Sequence, residues 1–206
     1  MGLRIRPYEP SDLEQLYEIC LRTGAAGEDA TDLVGERRLF GEVYAAPSGV
    51  LEPEHALVLD RGDGSAVGYV LGALDTRSFE ATCEREWWPT LRQRHPVGSG
   101  ANDLDELLIA IIHHPRLAGD EADAYPSHLH IDLLPEAQGR GWGRRLMAAM
   151  EELLGAGGSS GLHLGTSVRN ERAISFYRRL GYDELGSDGL SIGFGRRLAD
   201  GPPHDS

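Results

Sequence analysis

Two cysteines in 206 residues, Cys20 and Cys83, are too few for a disulfide framework. Neither belongs to a Cys-x-x-Cys pair, so both read as reduced thiols without a redox role. Long hydrophobic runs are missing as well: none approaches the roughly 20 residues that cross a bilayer, so no membrane span is expected. The segment Arg4-Ile5-Arg6-Pro7-Tyr8-Glu9 lacks the apolar middle of a secretory signal, and the expected location is cytoplasmic. Positive charge is scarce, with 20 Lys+Arg against 33 Asp+Glu and a formal charge of −13. That balance argues against a nucleic-acid partner, whose phosphates are bound by concentrated basic residues. No Gly-x-Ser-x-Gly follows a strand, and no internal repeat appears, which leaves covalent catalysis and solenoid folds unsupported. The length suits one domain, expected over residues 1–198, followed by a disordered Gly/Pro-containing tail at 199–206.

Glycine, by contrast, is plentiful and concentrated where it matters. Gln138-Gly139-Arg140-Gly141-Trp142-Gly143 follows a strand-like run at 129–134 and opens into the helical pattern of 144–154. Glycines let a backbone turn tightly and approach a ligand, and the first amides of a helix lack intrahelical partners. Such a turn can cradle a pyrophosphate. Arg140, Arg144 and Arg145 cluster there in an otherwise acidic chain, although a helix's first turn normally prefers Asp or Glu. A dinucleotide-binding reading would need Gly-x-Gly-x-x-Gly near the start of a βαβ unit, whereas this turn reads Gly139-x-Gly141-x-Gly143 about two thirds of the way along the chain.

A second motif lies downstream, with Asn170, Ala173, Phe176, Tyr177, Gly181 and Tyr182 in order. Together with Gln138, Gly141 and Gly143 it resembles the acetyl-CoA-binding core of the GNAT acetyltransferase superfamily, which carries Gln-x-x-Gly-x-Gly/Ala followed by Asn-x-x-Ala-x-x-Phe-Tyr. The resemblance implies an α/β (α+β) fold with a central mixed, mainly antiparallel twisted sheet flanked by helices. It implies acetyl-CoA as co-substrate, held by the backbone at Ile131, Asp132 and Leu133 and by Gln138, Gly139, Arg140, Gly141, Trp142, Gly143 and Arg144. Asn170 would touch the cofactor arm, and Tyr177 would protonate the departing thiolate. The Trp87-Trp88-Pro89 neighbourhood and the segment from Tyr125 to Asp132 are further similar to the acetyltransferase-like domain at the C-terminus of animal O-GlcNAcases. That domain is regarded as a pseudo-acetyltransferase, so a non-catalytic acetyl-CoA- or protein-binding module is the alternative to an N-acetyltransferase.

Along the chain, 3–6 reads as a strand, and Ser11-Asp12-Leu13-Glu14 as a capping box opening a first helix. A mobile loop at 23–31 precedes a second helix expected over 33–44. Apolar strands at 55–60 and 66–72 flank a hairpin with Asp63-Gly64 turn chemistry. A helical insertion is expected around 78–114, then a strand at 161–165, a helix at 170–180 and a last strand at 190–194.

The proton acceptor is the weak point of the pattern. In some relatives a glutamate sits five residues before the motif asparagine, and here that position is Gly165. His128, His130 and Asp132 share one face of a strand by its period of two, so Asp132 or His130 could take the proton of the acceptor amine. The bland reading is that the histidines are satisfied by hydrogen bonds and that Asp132 caps a loop. His113 and His114 add no third convergent ligand, so no metal is expected. The acceptor is expected to be a small-molecule or peptide amine, with cationic amines favoured by the acidic chain, and the assembly a homodimer.

Overall fold

The computed structural model describes residues 2–198, and the expected tail at 199–206 lies outside them. Seven strands form one sheet: β1 (Arg4–Pro7), β2 (Ala56–Asp60), β3 (Ala66–Ala73), β4 (Ser127–Leu133), β5 (Gly161–Ser167), β6 (Asp183–Ser187) and β7 (Ser191–Arg197). Their order is β1-β2-β3-β4-β5-β7-β6. Every neighbouring pair is antiparallel except β4 with β5, as the mixed, mainly antiparallel expectation requires. Strand β3 is buried along its whole length, which is why 66–72 reads as a continuous apolar run and not an alternating one. Strand β6 has no counterpart among the expected elements, because all five of its residues are exposed and carry no apolar alternation; pairing with β7 makes it a strand.

The helices are α1 (Leu13–Leu21), α2 (Leu39–Tyr44), α3 (Ala46–Leu51), α4 (Thr76–Thr82), α5 (Trp88–Arg94), α6 (Asp103–His113), α7 (Glu121–Ala124), α8 (Trp142–Ala156) and α9 (Glu171–Leu180). The cap before α1 is not at Ser11. A 3-10 turn at Pro10–Asp12 precedes the helix, and Glu9 and Asp12 form the reciprocal cap. Pro10 starts the turn early because its fixed φ suits a first helical position. The helix expected over 33–44 is likewise shorter: residues 31–38 run as turns and bends, and Gly35 packs on the start of α6, its amide donating to the Asp105 carboxylate at 3.0 Å.

The insertion is helical as expected, with a π-helical turn, Cys83–Trp87, between α4 and α5. It is fastened to α2 through Glu42, which is 1% exposed. The Glu42 carboxylate meets His95 Nε2 at 2.7 Å and the Arg94 guanidinium, and its main-chain carbonyl accepts from Trp87 Nε1 at 2.9 Å. This fixes the insertion against α2.

Candidate functional site

Strand β4 pairs with β5 only at Ser127 with Leu162 and His128 with His163. Beyond that point the strands part, and 130–133 has no β5 partner. On its other side β4 pairs with β3, Tyr69 opposite Asp132 and Gly68 opposite Leu133, and the next amide, Leu134 N–H, donates to Val67 C=O at 2.9 Å. In an antiparallel ladder the bonding direction alternates. It follows that the amides of His130 and Asp132 are spent on β3 and that of Leu129 on β5, where the strands last pair, whereas those of Ile131 and Leu133 face the gap. The Asp132 backbone, expected to face the acetyl donor, is therefore taken up by β3, and of the three expected backbone positions only Ile131 and Leu133 keep amides directed into the gap. Gln138 confirms the direction, since its Nε2 donates to the Leu133 carbonyl at 2.6 Å. Its side chain braces the turn against β4.

The glycine turn has the predicted form. Gly139 and Gly141 have φ of 72° and 79°, the left-handed region that side chains disfavour, and a Cβ at either would meet nothing within 4 Å. Conformation, not crowding, demands glycine at both. Gly143 differs: a Cβ there would lie 3.2 Å from the Phe176 ring, so its task is close packing of α8 on α9. The α8 N-cap is Gly141, without a side-chain cap, so the first helical amides have no side-chain partner there. Arg140 and Arg144 are exposed beside this turn, and Arg145 stacks on the half-buried Trp142 ring at 4.6 Å. Open left-handed glycines, uncapped amides and arginines together fit a pyrophosphate.

Asn170 and Tyr177 come from the next helix. Asn170 caps α9, its Oδ1 accepting from Ala173 N–H at 3.0 Å. A Cβ at Gly27, in the 23–31 loop, would lie 3.0 Å from Asn170 Nδ2, so that loop folds over the cap. Tyr177 is 6% exposed, with ring centroids 5.3 Å from both Phe176 and Phe194. Burial foremost, and the Asp132 charge second, push its pKa above that of ordinary tyrosine. Its hydroxyl keeps its proton at neutral pH and is available as a donor.

His130 and Asp132 are joined. His130 Nδ1 lies 2.8 Å from the Tyr44 carbonyl, which only accepts, so this nitrogen carries a proton. His130 Nε2 lies 3.2 Å from Asp132 Oδ2. Burial opposes a charge on the ring, but the carboxylate and the carbonyl outweigh it and raise the pKa above the usual histidine value. With its Nδ1 proton held by Tyr44, the ring turns Nε2 to the Asp132 carboxylate, so the two candidate bases form one hydrogen-bonded pair. Asp132 Oδ2 also accepts from the Tyr69 hydroxyl at 2.5 Å, which leaves Oδ1 uncommitted to either partner. Tyr69 and Cys20, buried behind Asp132, escape a reading of the sequence because a fully buried strand gives no sign of which side chain is polar for a purpose.

Where β4 and β5 part, a cavity of about 400 Å³ opens on the insertion side. It is lined by Phe79, Trp88 and Leu117 as well as by His128, His163 and Gly165. Gly165 puts no carboxylate there. Cys83 also lines it, but burial pushes its thiol up to about 12, too high for a nucleophile at neutral pH. Among the described residues no group of three His, Cys, Asp or Glu side chains could hold a metal ion, and no helix is long and apolar enough to cross a membrane.

Comparison with known proteins places these features in context. Residues 28–182 match the acetyltransferase (GNAT) family. Protein O-GlcNAcase of Rattus norvegicus is 25% identical over 190 residues, covering 88% of this chain and 20% of its own, so the chain spans about a fifth of that relative's length. The crystal structure of SsHAT is similar at 42% identity and a TM-score of 0.91, covering 97% of this chain and 100% of the other. A GNAT superfamily phosphinothricin acetyltransferase from Sinorhizobium meliloti, solved in complex with AcCoA, shares the fold at 15% identity and a TM-score of 0.57, over 97% of this chain and 90% of its own.

Proposed function

The chain belongs to the acetyltransferase (GNAT) family, and on that premise we propose that it passes the acetyl group of acetyl-CoA directly to an amine. The observation that carries this reading is the gap-facing edge of β4 leading straight into the glycine turn at the start of α8. The Ile131 and Leu133 backbone would hold the acetyl and pantetheine portions, and the turn at 138–144 the pyrophosphate. In the transfer the neutral amine attacks the thioester carbonyl, a C–N bond forms and the C–S bond breaks. The sulfur leaves with a proton from the Tyr177 hydroxyl, and the proton lost by the amine passes through Asp132 Oδ1 or its water back to the phenolate.

The alternative, a binding module without turnover, is favoured by one observation: Gly165 stands where some relatives carry a glutamate. Calorimetric titration of acetyl-CoA, then thiol release over a panel of amines, separates the two. The chain contains no lysine, so acetylation of its own lysine side chains does not compete in that assay. Tight binding with amine-dependent release supports the enzyme; tight binding without release for any amine supports the module.

A further inference from the structure

The cavity where β4 and β5 part holds two imidazoles whose tautomers are fixed by their neighbours. Thr76 Oγ1 donates its only proton to the Pro126 carbonyl at 2.8 Å, so it can only accept from His128 Nδ1, 3.0 Å away. His163 Nδ1 lies 2.7 Å from the Tyr125 carbonyl, which also only accepts. Each neutral ring therefore carries its proton on Nδ1 and a lone pair on Nε2. The ring centroids are 6.0 Å apart, so the two rings flank one small volume.

The other polar lining is of the same character. Glu80 accepts from Ala118 N–H at 2.7 Å and Glu121 from Gly119 N–H at 3.0 Å. The cation in the lining, Arg116, is committed to Asp188. Glu84, the third carboxylate of the lining, is paired with Arg92 at 2.6 Å, and Phe79, Trp88 and Leu117 supply apolar wall. We propose that this cavity holds the acceptor, a primary amine on an apolar body without carboxylate or phosphate, with Nε2 of His128 and of His163 accepting hydrogen bonds from its nitrogen. The proposal rests on the acetyl-transfer reading for its chemistry but not for its binding. An anionic group in the same space would face two lone pairs and three carboxylates, with no free cation among the described lining residues to meet it. Burial, with His163 and His130 next in effect, pushes the His128 pKa down to about 3, which keeps that lone pair available at neutral pH.

The test uses phenethylamine and phenylalanine, which differ by the carboxylate alone, and the variants His128→Asn and His163→Asn. Asparagine places an N–H near the position of Nδ1, preserving the bonds to Thr76 and Tyr125, and deletes Nε2. With acetyl-CoA affinity by calorimetry unchanged within about 2-fold, the double variant should lose on the order of 10²-fold in kcat/KM for phenethylamine. The parent should favour phenethylamine over phenylalanine by roughly 10-fold or more. His128→Gln, whose side-chain oxygen reaches the region of Nε2, should recover part of the loss that His128→Asn shows alone. Equal use of phenylalanine, or full activity in the double Asn variant, overturns the proposal. If acetyl-CoA binds and no amine releases thiol, acetyl transfer itself fails, and the proposal is decided by binding alone. Phenethylamine titrated into the CoA-bound parent should then shift the Nε2 resonances of His128 and His163 by NMR, and unshifted resonances overturn it. Should the double variant not fold, the same titration of the parent decides between these outcomes.

Discussion

Tyr177 sits in the aromatic packing of α9 and β7, so its ring and its hydroxyl have separate tasks that one substitution can divide. Tyr177→Phe keeps the ring contacts and deletes the proton donor. Turnover should fall roughly 10²-fold or more while acetyl-CoA affinity holds. Thiol release equal to the parent's across pH would make Tyr177 a packing residue only. Asp132 is different, because Tyr69 and His130 both converge on its Oδ2. Asp132→Asn keeps the shape and removes the charge, and turnover should drop by roughly 10²–10⁴-fold, measured beside His130→Gln. A more severe loss in His130→Gln, with Asp132→Asn active, would return the base to the imidazole.

Among the elements, the insertion matters to the cavity through its hold on α2. Glu42→Gln removes a buried charge that binds His95 and Arg94 together. It should lower stability by about 2 kcal/mol, read from the urea midpoint; the full cost of breaking a buried pair is higher, but Arg94 remains largely in water. A change within about 0.5 kcal/mol would mean that the apolar contacts of Trp87 and Trp88 hold the insertion unaided. The elements also differ in how legible they are in the sequence. The turn at 138–143 can be read directly, because the need for glycine is local and steric. The sheet's inner strands follow from short apolar runs bounded by turns, and α8 and α9 from their helical periodicity, within a few residues. The proton chemistry is not legible, since the partners that fix it are remote in sequence: Tyr44 lies 86 positions from His130, and Tyr125 lies 38 from His163. Strand β6 is invisible for another reason, because its residues have no buried face.

At the scale of the whole molecule, burial of His128 ties stability to pH. Its folded pKa, about 3, lies below the ordinary histidine value near 6.5, so the unfolded chain binds the proton first as pH falls. The stabilisation is complete above about pH 6.5 and is lost as pH falls from there toward about 3, with a total on the order of a few kcal/mol. His130 runs the other way. Its raised pKa gives a contribution present below about 6.5 and lost as pH rises through the folded value. Urea midpoints between pH 4 and 7, compared with those of His128→Asn, check the larger effect: the parent should weaken more steeply on acidification than the variant. Parallel curves would show that His128 titrates normally.

The central claim is that acetyl-CoA lies in the gap of β4 and over the α8 turn. Amide-resolved NMR of the ¹⁵N-labelled protein during an acetyl-CoA titration tests it most directly. The amides of Ile131, Leu133, Gly139, Gly141 and Gly143 should shift strongly, and that of Asp132, already bonded to β3, far less. Saturable binding that leaves Ile131, Leu133 and the glycine turn unmoved, or no binding at all, would contradict the account.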